Sequence, residues 1–344
     1  MTIYLAKLSP RYAAKQRGLS LIELMISMLL GLILLFAATT LFETVKKTTL
    51  VQEANARLQE NGRAAIEILN RDIRLARYFG CAGVETTRVL NHWDSSTGAQ
   101  SPTTLNGYDQ QGIFGIDGAT SADPDQIIVY HAVDSSAVIL ASDLDLTTGG
   151  YAIKLADPLG NGLPAAGDWI SITDCTQADV FPVSAIDPNS VTSDYAYSNC
   201  PSCTHSYLTN AVVLGVNRSQ YHLTTGDNGR AALFVKDPGE VGNGTQLIEN
   251  VDDMQISYGL DTDADGVANQ YVAPSTVTSD CTTNTNSLCW RKVTSVRLAL
   301  LLSTNNGIAS RPQTYTFNGT TTTASDTRLR REFLTVVALR NYRP

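Results

Sequence analysis

The sequence of 344 residues lacks the common catalytic signatures: it contains no G-x-S-x-G nucleophile turn, no H-E-x-x-H zinc motif and no P-loop. Histidine is scarce as well, and no motif gathers the four that occur, His92, His131, His205 and His222. Hydrolase, zinc-protease and nucleotide-binding activities of the familiar kinds therefore have no support. An enzyme whose catalytic set is assembled only by folding is a remote alternative.

Positive charge is also scarce beyond the first residues. The net charge is −8, and residues 1–18 hold four basic side chains and no acidic one, so residues 19–344 carry −12. A nucleic-acid partner is not expected, because phosphate binding needs a cationic surface. Hydrophobic residues make up 43% of the chain and charged residues 17%, which is the balance of a globular protein with a buried core.

Proline is absent between Leu19 and Phe79, so one continuous helix can run through this region. Its first part, residues 19–42, is an apolar run long enough to span a bilayer, and the basic residues before it are typical of the cytoplasmic side. A secretory signal peptide would have a shorter apolar core, followed by a small-residue cleavage site. Here the small residue, Gly18, precedes the run.

One carboxylate, Glu23, interrupts the apolar run. A charge in a membrane core costs about 2.5–3.5 kcal/mol, so it is not expected there without a partner. In the plain alternative Glu23 snorkels to the membrane interface, since it lies about 6 Å along the helix from Leu19. That alternative leaves the order Gly-Leu-Ser-Leu-Ile-Glu unexplained.

The stretch RGLSLIELM resembles the processing site of type IV prepilins and type II secretion pseudopilins. The resemblance implies that a prepilin peptidase cuts after Gly18 and methylates the new amine of Leu19. It also implies that Glu23, at the fifth mature position, pairs with the N-terminal amine of a neighbouring subunit. Two opposite charges compensate each other in an apolar helix bundle, whereas either one alone is costly.

After the apolar run the composition becomes amphipathic. The spacing of three, four or seven residues marks one helix face at Val51, Ala54, Leu58, Ala65, Leu69, Ile73 and Ala76. Gly62 interrupts this pattern and predicts a bend or a loosened turn, and the glycines of YFGCAG predict the end of the helix. The predicted divisions are a cleaved basic leader at 1–18, a pilin-type helix at 19–80 and a periplasmic or extracellular head at 81–344.

The head reads as strands rich in β-branched and aromatic residues, separated by Gly, Asn, Asp and Pro. Examples are QIIVYHAV, DWISITDC, AVVLGV, SQYHLT, AALFVK, LIENVDDMQISYGL, VTSVRLALLLS and EFLTVVALR. Long polar stretches predict surface loops at 91–112, 187–210, 273–290 and 318–328. The predicted fold class is α+β: a long N-terminal helix packed on a mainly antiparallel β-sheet head with long disulfide-bearing loops.

Several stretches of the mature chain together resemble the PilW group of minor pilins, which is related to the pseudopilin J group: YFGCAG, SITDCTQADVF, LIENVDDMQISYGLDTDADG, VRLALLLS and FLTVVALRNYR. The resemblance implies a structural protein that starts filament assembly within a minor-pilin complex at the filament tip. The implied partners are the prepilin peptidase, other minor pilins, the major pilin, the inner-membrane assembly platform and, as a further candidate, a tip adhesin.

Six cysteines follow the apolar run, and an even number after an export-type N-terminus favours disulfides in an oxidising compartment. Fifteen pairings are possible for six cysteines. The pairs that we expect are Cys281–Cys289 across a short polar loop, Cys81–Cys175 at the end of the helix, and Cys200–Cys203. The CPSC motif at 200–203, with His205 nearby, also leaves redox and zinc chemistry as weaker alternatives.

The stretch DTDADGVANQYV resembles the first half of a calcium-binding loop. Converging carboxylates repel each other unless a hard cation neutralises them, and Val272 stands where such a loop needs a bidentate glutamate. Calcium binding and an unliganded acidic hairpin tip are both compatible with this pattern. The candidate calcium ligands are Asp261, Asp263, Asp265, Val267 and Asn269.

Basic residues return near the C-terminus, where two interpretations apply. They could face an acidic partner, or they could belong to a solvated strand edge, which is the favoured interpretation. The residues are Arg328, Arg330, Arg331, Arg340 and Arg343.

The combined hypothesis is a minor pilin of a Gram-negative type IV pilus. It is expected to be a single-pass inner-membrane protein with its head in the periplasm, and then a pilus subunit at the cell surface. One alternative is a J-like minor pseudopilin of type II secretion. A second alternative is a membrane-anchored periplasmic binding protein or adhesin that is never processed.

Overall fold

The computed structural model describes residues 18, 20–81, 89–91, 112–120, 123–145, 151–156, 166–187, 190–193, 206–237, 240, 242–283 and 290–342. The chain forms two compact units, residues 1–53 and residues 54–344. The boundary between the units falls within the first helix, α1, which runs without a break over Leu21–Leu75.

The first part of α1 presents its side chains outward. Every residue from 21 to 50 is exposed, although most of these side chains are apolar. The few hydroxyl groups are satisfied within the helix: Thr39 donates to the carbonyl of Leu35 at 3.1 Å, and Thr44 donates to the carbonyl of Thr40 at 2.8 Å. This part of α1 is long and apolar enough to cross a membrane.

The second part of α1 packs into the head. Its buried residues recur every three or four positions, at Leu58, Gly62, Ala65, Leu69 and Ile73, as the amphipathic pattern predicts. Gly62 does not break the helix, because α1 is continuous there. A β-carbon at residue 62 would overlap the ring of Phe333, so the glycine is needed for close packing.

The predicted helix end at residue 80 is five residues too late. Arg77 already has a left-handed φ of 70°. This backbone conformation is unfavourable for a residue other than glycine unless contacts of that residue offset its cost. Its buried guanidinium donates to the carbonyls of Trp290 and Val293, the latter at 2.9 Å. Burial lowers the pKa of Arg77 to about 9. These contacts of Arg77 end the helix before the glycines of YFGCAG.

Among the described residues, the largest sheet has eight strands, and its one parallel pair is β1 (Val89–Asn91) with β7 (Ala178–Pro182). Strand β11 is central: β3 pairs along one side, while β6 and β12 pair with successive parts of the other side. The strands of this sheet are β1 (Val89–Asn91), β2 (Ile113–Ile116), β3 (Gln126–Ile139), β6 (Trp169–Thr173), β7 (Ala178–Pro182), β11 (Val212–Thr225), β12 (Ala231–Lys236) and β13 (Thr245–Glu249).

A second sheet, called the C-terminal sheet, is antiparallel throughout and has the order β15-β14-β16-β19. Strand β16 is buried along almost its whole length, and β19 lies at the edge. The strands are β14 (Val251–Leu260), β15 (Gln270–Val272), β16 (Val293–Ser303) and β19 (Arg330–Ala338).

Three small sheets and two short helices complete the described part of the head. Three of the predicted loops are wrong in part. Strands β9 (Ser190–Ser193) and β10 (Ser206–Tyr207) lie within 187–210, and helix α2 (Pro274–Thr283) lies within 273–290. Strand β18 (Thr320–Thr323) lies within 318–328 and pairs with β17 (Thr314–Phe317). The remaining elements are β4 (Leu144–Asp145), β5 (Tyr151–Lys154), β8 (Ala185–Asp187) and a 3-10 helix (Trp290–Lys292).

The main core joins the second part of α1 to both large sheets. Leu69 and Ile73 of α1 are fully buried together with Ile127 of β3 and Leu298 of β16. A smaller core lies among β4, β5, β6, β9 and β10, around Tyr207. The expected α+β fold class is confirmed, with a long apolar N-terminal helix, a mostly antiparallel head and a disulfide.

Candidate functional site

The residues of the predicted processing and assembly site lie at the start of α1. Ser20 immediately precedes the helix, and its hydroxyl accepts a 3.2 Å hydrogen bond from the backbone N–H of Glu23. A serine followed three residues later by a glutamate is a common helix start, because both can satisfy free backbone N–H groups. Gly18 is exposed. Leu19, the predicted new N-terminus, lies outside the described residues.

Glu23 is exposed in the first turn of α1, between apolar neighbours such as Ile22 and Leu24 that are also exposed. No residue in the described part of the chain donates a hydrogen bond to its carboxylate. An acidic group at this position is favoured by the helix dipole. That favourable interaction is worth less than the cost of an unpaired charge in hydrocarbon, so a membrane-embedded Glu23 still needs a cation.

The predicted calcium ligands come together in the loop between β14 and β15. The carboxylate oxygens of Asp261, Asp263 and Asp265 lie within 4.8 Å of one another. The side chain of Asn269 closes this loop, because its carboxamide donates to Asp263 at 3.2 Å and accepts from the backbone N–H of Thr262 at 2.6 Å. The loop therefore brings together four of the five residues that the sequence pattern singles out.

Asp261 is the centre of this loop. Its carboxylate accepts hydrogen bonds from the backbone N–H groups of Ala264 at 2.7 Å and Gly266 at 2.8 Å, and from the hydroxyl of Tyr342 at 2.7 Å. Burial by itself raises the pKa of Asp261, but the hydrogen bonds from Tyr342 and the backbone outweigh it and lower the pKa to about 2. The loop is therefore held together by an ionised Asp261.

These contacts bear on the calcium prediction. Both oxygens of Asp261 are already engaged by donors of the chain, so the loop compensates this charge without a cation. Asp263 and Asp265 are exposed, whereas Val267 contributes a backbone N–H that donates to Asp265 at 2.8 Å. Calcium binding stays a prediction, with Asp263 and Asp265 as the ligands that remain accessible.

One of the three expected disulfides is confirmed. Cys81 is bonded to Cys175, with 4.7 Å between the Cα atoms and a sequence separation of 94. The bond joins the segment after α1 to the turn between β6 and β7. Cys200, Cys203 and Cys289 lie outside the described residues, as does the side chain of Cys281, so their pairing and the alternatives for CPSC with His205 stay predictions.

The C-terminal arginines do not form one cluster. Arg328 and Arg330 are paired: Arg328 contacts Asp326 at 2.7 Å, and Arg330 contacts Asp326 at 2.7 Å and Asp252 at 2.9 Å. The guanidinium of Arg331 lies 5.8 Å from the ring centre of Phe333, and Arg340 lies beside α1. Arg343 lies outside the described residues.

The described residues contain no second cluster of potential metal ligands: the three aspartates are the one group of His, Cys, Asp or Glu close enough to share an ion. His131 lies on β3 and His222 on β11, where its ring is 6.2 Å from that of Phe234. His92 and His205 lie outside the described residues.

The comparisons with known proteins agree with the motifs at both ends of the chain. Residues 13–39 match the family model of the prokaryotic N-terminal methylation motif, and residues 220–341 match that of Type IV Pilus-assembly protein W. No curated protein matches the chain. Among solved structures, a type IV-like pilin from Thermus thermophilus is similar over 84% of this chain and 98% of that chain, at 12% identity and a TM-score of 0.33.

The first match contains Gly18, Glu23 and most of the apolar run, which fit a membrane-anchored pilin. The second match begins within β11 and contains the acidic loop and the whole C-terminal sheet. Pilins are structural rather than catalytic proteins, and they interact in general with other pilins and with assembly machinery. Together these matches support a type IV pilus minor pilin of the PilW group.

Proposed function

We propose that this protein helps to start the assembly of a type IV pilus, as part of a minor-pilin complex at the filament tip. The observation that carries the proposal is the position of Glu23, an acidic side chain in the first turn of an exposed apolar helix. Its charge is costly in a membrane unless a cation lies beside it. The N-terminal amine of a neighbouring subunit supplies that cation.

Cleavage creates the amine on which this pairing depends. In the proposed sequence a prepilin peptidase cuts after Gly18 and methylates Leu19, which places a positive charge four residues before Glu23. The mature chain then waits in the inner membrane with residues 81–344 in the periplasm. Pairing of Glu23 with a neighbour's amine neutralises both charges and fixes the register of the two helices, because either charge alone is strongly unfavourable in an apolar bundle.

The test is the substitution Glu23→Gln in the full chain, expressed in its own cells. Glutamine retains an oxygen that can accept a helix-capping hydrogen bond but removes the charge. We expect pilus number to fall about tenfold or more, because breaking a buried ion pair costs about 3–5 kcal/mol. Pili are counted by electron microscopy, and the amount of the variant in the membrane is measured in parallel.

Two matched variants separate assembly from helix stability. Glu43→Gln removes an exposed acidic charge farther along the same helix, and Ser20→Ala removes the hydroxyl that caps α1. Both are expected to leave pilus number near the wild-type level. Normal pilus number in the Glu23→Gln strain would contradict the proposed pairing.

Processing is tested by the intact mass and N-terminal sequence of the protein from its membranes. We expect a methylated N-terminus at Leu19, and an uncut chain for Gly18→Val. A β-carbon at residue 18 meets no atom of this chain within 4 Å, so failure to cut would reflect the peptidase and not the fold. An uncut wild-type chain would favour the membrane-anchored binding protein. Loss of secretion instead of twitching on deletion would favour the pseudopilin.

A further inference from the structure

A groove with a volume of about 520 Å³ lies between the second part of α1 and the edge strand β19. Its apolar floor contains Ile66, Leu75 and Phe333. Both walls belong to the compact unit of residues 54–344, so the groove lies within one unit. The charged residues that line it are Arg63, Glu67, Arg71, Arg74 and Arg340.

The groove carries an excess of positive charge in an otherwise acidic protein. Four arginines face one glutamate there, although the whole chain has a net charge of −8. Arg63, Arg74 and Arg340 are exposed, and none of them forms a hydrogen bond or an ion pair with a described residue. Arg71 contacts Asp72 at 3.3 Å, but 72% of its side chain is exposed.

Two other arginines at the C-terminal sheet have carboxylate partners within the chain. Arg328 and Arg330 are largely buried, and each has a carboxylate of this chain within 3 Å. The unpaired arginines of the groove therefore do not reflect a general lack of acidic residues near the C-terminal sheet. They form a surface that an acidic partner complements, because guanidinium groups bind carboxylates through paired hydrogen bonds.

Two further observations favour a protein segment as the partner. The carboxamide oxygen of Asn70, which lines the groove, is buried and accepts no hydrogen bond from a described residue, unlike most buried polar atoms. Strand β19 is paired with β16 on one side, and no described strand pairs with it on the other, although β17 contacts its first residues. A polypeptide offers carboxylates for the arginines, apolar side chains for the floor and backbone N–H groups for Asn70.

We propose that this groove binds an acidic segment of a neighbouring pilin subunit. The segment lies between α1 and β19, with its carboxylates against Arg74 and Arg340 and an apolar side chain against Phe333. This combination of arginine and aromatic contacts is typical of residues that dominate protein interfaces. The inference rests on the proposed function, because the neighbour is another subunit of the filament.

The test places a photo-crosslinking residue at position 75, where Leu75 is 38% exposed, in the full chain in its own cells. Crosslinked products are identified by mass spectrometry. We expect an acidic peptide from a different pilin subunit. The double variant Arg74→Glu with Arg340→Glu should lower its yield about tenfold, because like charges across an interface repel. The matched control is Arg311→Glu, an exposed arginine that does not line the groove.

The possible outcomes separate this inference from the proposed function. An unprocessed chain, or pili that do not depend on the chain, would overturn the proposed function itself. Three results with a processed, pilus-supporting chain would overturn only the proposal for the groove. These are the absence of a crosslink, an unchanged crosslink yield in the double variant, and a product that is a second copy of this chain or not a pilin. If the double variant retains wild-type thermal stability, replacing the acidic residues of the crosslinked peptide by lysine should restore the yield.

Discussion

The two parts of α1 each place an acidic residue among apolar ones, but the two carboxylates differ in their hydrogen-bond partners. Asp72, in the second part, is buried and accepts a hydrogen bond from the hydroxyl of Tyr221. Glu23, in the first part, has no such donor among the described residues. The packed part of the helix therefore finds a donor for its acidic residue within this chain, whereas the described residues supply none for Glu23.

The apolar side chains show the same contrast. Leu69 is fully buried against the head, whereas Leu34 is 70% exposed on the same helix. The difference follows from the hydrophobic pattern, which is a stripe in the second part and covers all sides in the first. A continuous apolar surface is suited to lipid or to a bundle of identical helices, and a stripe is suited to one protein face.

Removing the disulfide is expected to have the largest effect on the head and none on the membrane part. Cys81→Ser with Cys175→Ser opens a link across 94 residues, and loops of this size correspond to roughly 4–5 kcal/mol of unfolding free energy. Denaturant unfolding of the full chain in detergent measures the loss. Membrane extraction should be unchanged, and altered insertion would show that the two parts are not independent.

A leucine truncation in each part compares their packing directly. Leu69→Ala is expected to lower the unfolding free energy of the head by about 2–5 kcal/mol, because it leaves a cavity in the core. Leu34→Ala should not change this value, since Leu34 is not part of the core. Equal losses in the two variants, measured by denaturant unfolding, would contradict the division of the helix.

The two glycines of α1 offer a smaller comparison. Gly62→Ala is expected to destabilise the head by about 1–3 kcal/mol, because the added carbon overlaps Phe333. Gly31→Ala meets no atom within 4 Å and should not destabilise the head. Thermal unfolding of both variants provides the measurement, and a stabilised Gly62→Ala protein would show that Phe333 moves aside easily.

The acidic loop gives the smallest predicted effect and a dependence on pH. Because the pKa of Asp261 is lowered to about 2 from 3.8, its contribution to stability is present above about pH 4 and is lost as the pH falls towards 2. Tyr342→Phe removes the hydroxyl that donates to Asp261. The variant should therefore unfold at a lower midpoint than the wild type at neutral pH, and the difference between the two midpoints should become smaller as the pH falls. A gap that is constant from pH 7 to pH 2 would contradict this role.

Periodicity was sufficient to predict the helix, most long strands and the fold class. The Cys81–Cys175 bond could also be predicted, because both residues flank elements that the pattern identifies. The missed hairpin had a usable signal: Asn318 and Gly319 have φ angles of 45° and 80°, as expected for an Asn-Gly turn. Helix α2 had only a weak signal, the proline at its first position, because its serines and threonines have low helix propensity.

The groove could be predicted only in part. Arg63, Glu67, Arg71 and Arg74 follow a spacing of three or four, which places them on one helix face. Their meeting with Arg340 depends on the pairing of β19 with β16, a contact between distant parts of the sequence. The same limit applies to Arg77, whose partners lie more than two hundred residues away.

The Cys81–Cys175 bond also determines how the head carries tension. Part of a pull along α1 enters the main core through the buried residues of its second part. The remainder reaches Cys81 six residues after the helix ends, and the covalent link passes it to the turn between β6 and β7. Strand β6 is hydrogen-bonded to the central strand β11, so the load enters the middle of the largest sheet. The disulfide thus acts in parallel with the backbone between residues 81 and 175, so that segment does not carry the remaining force alone.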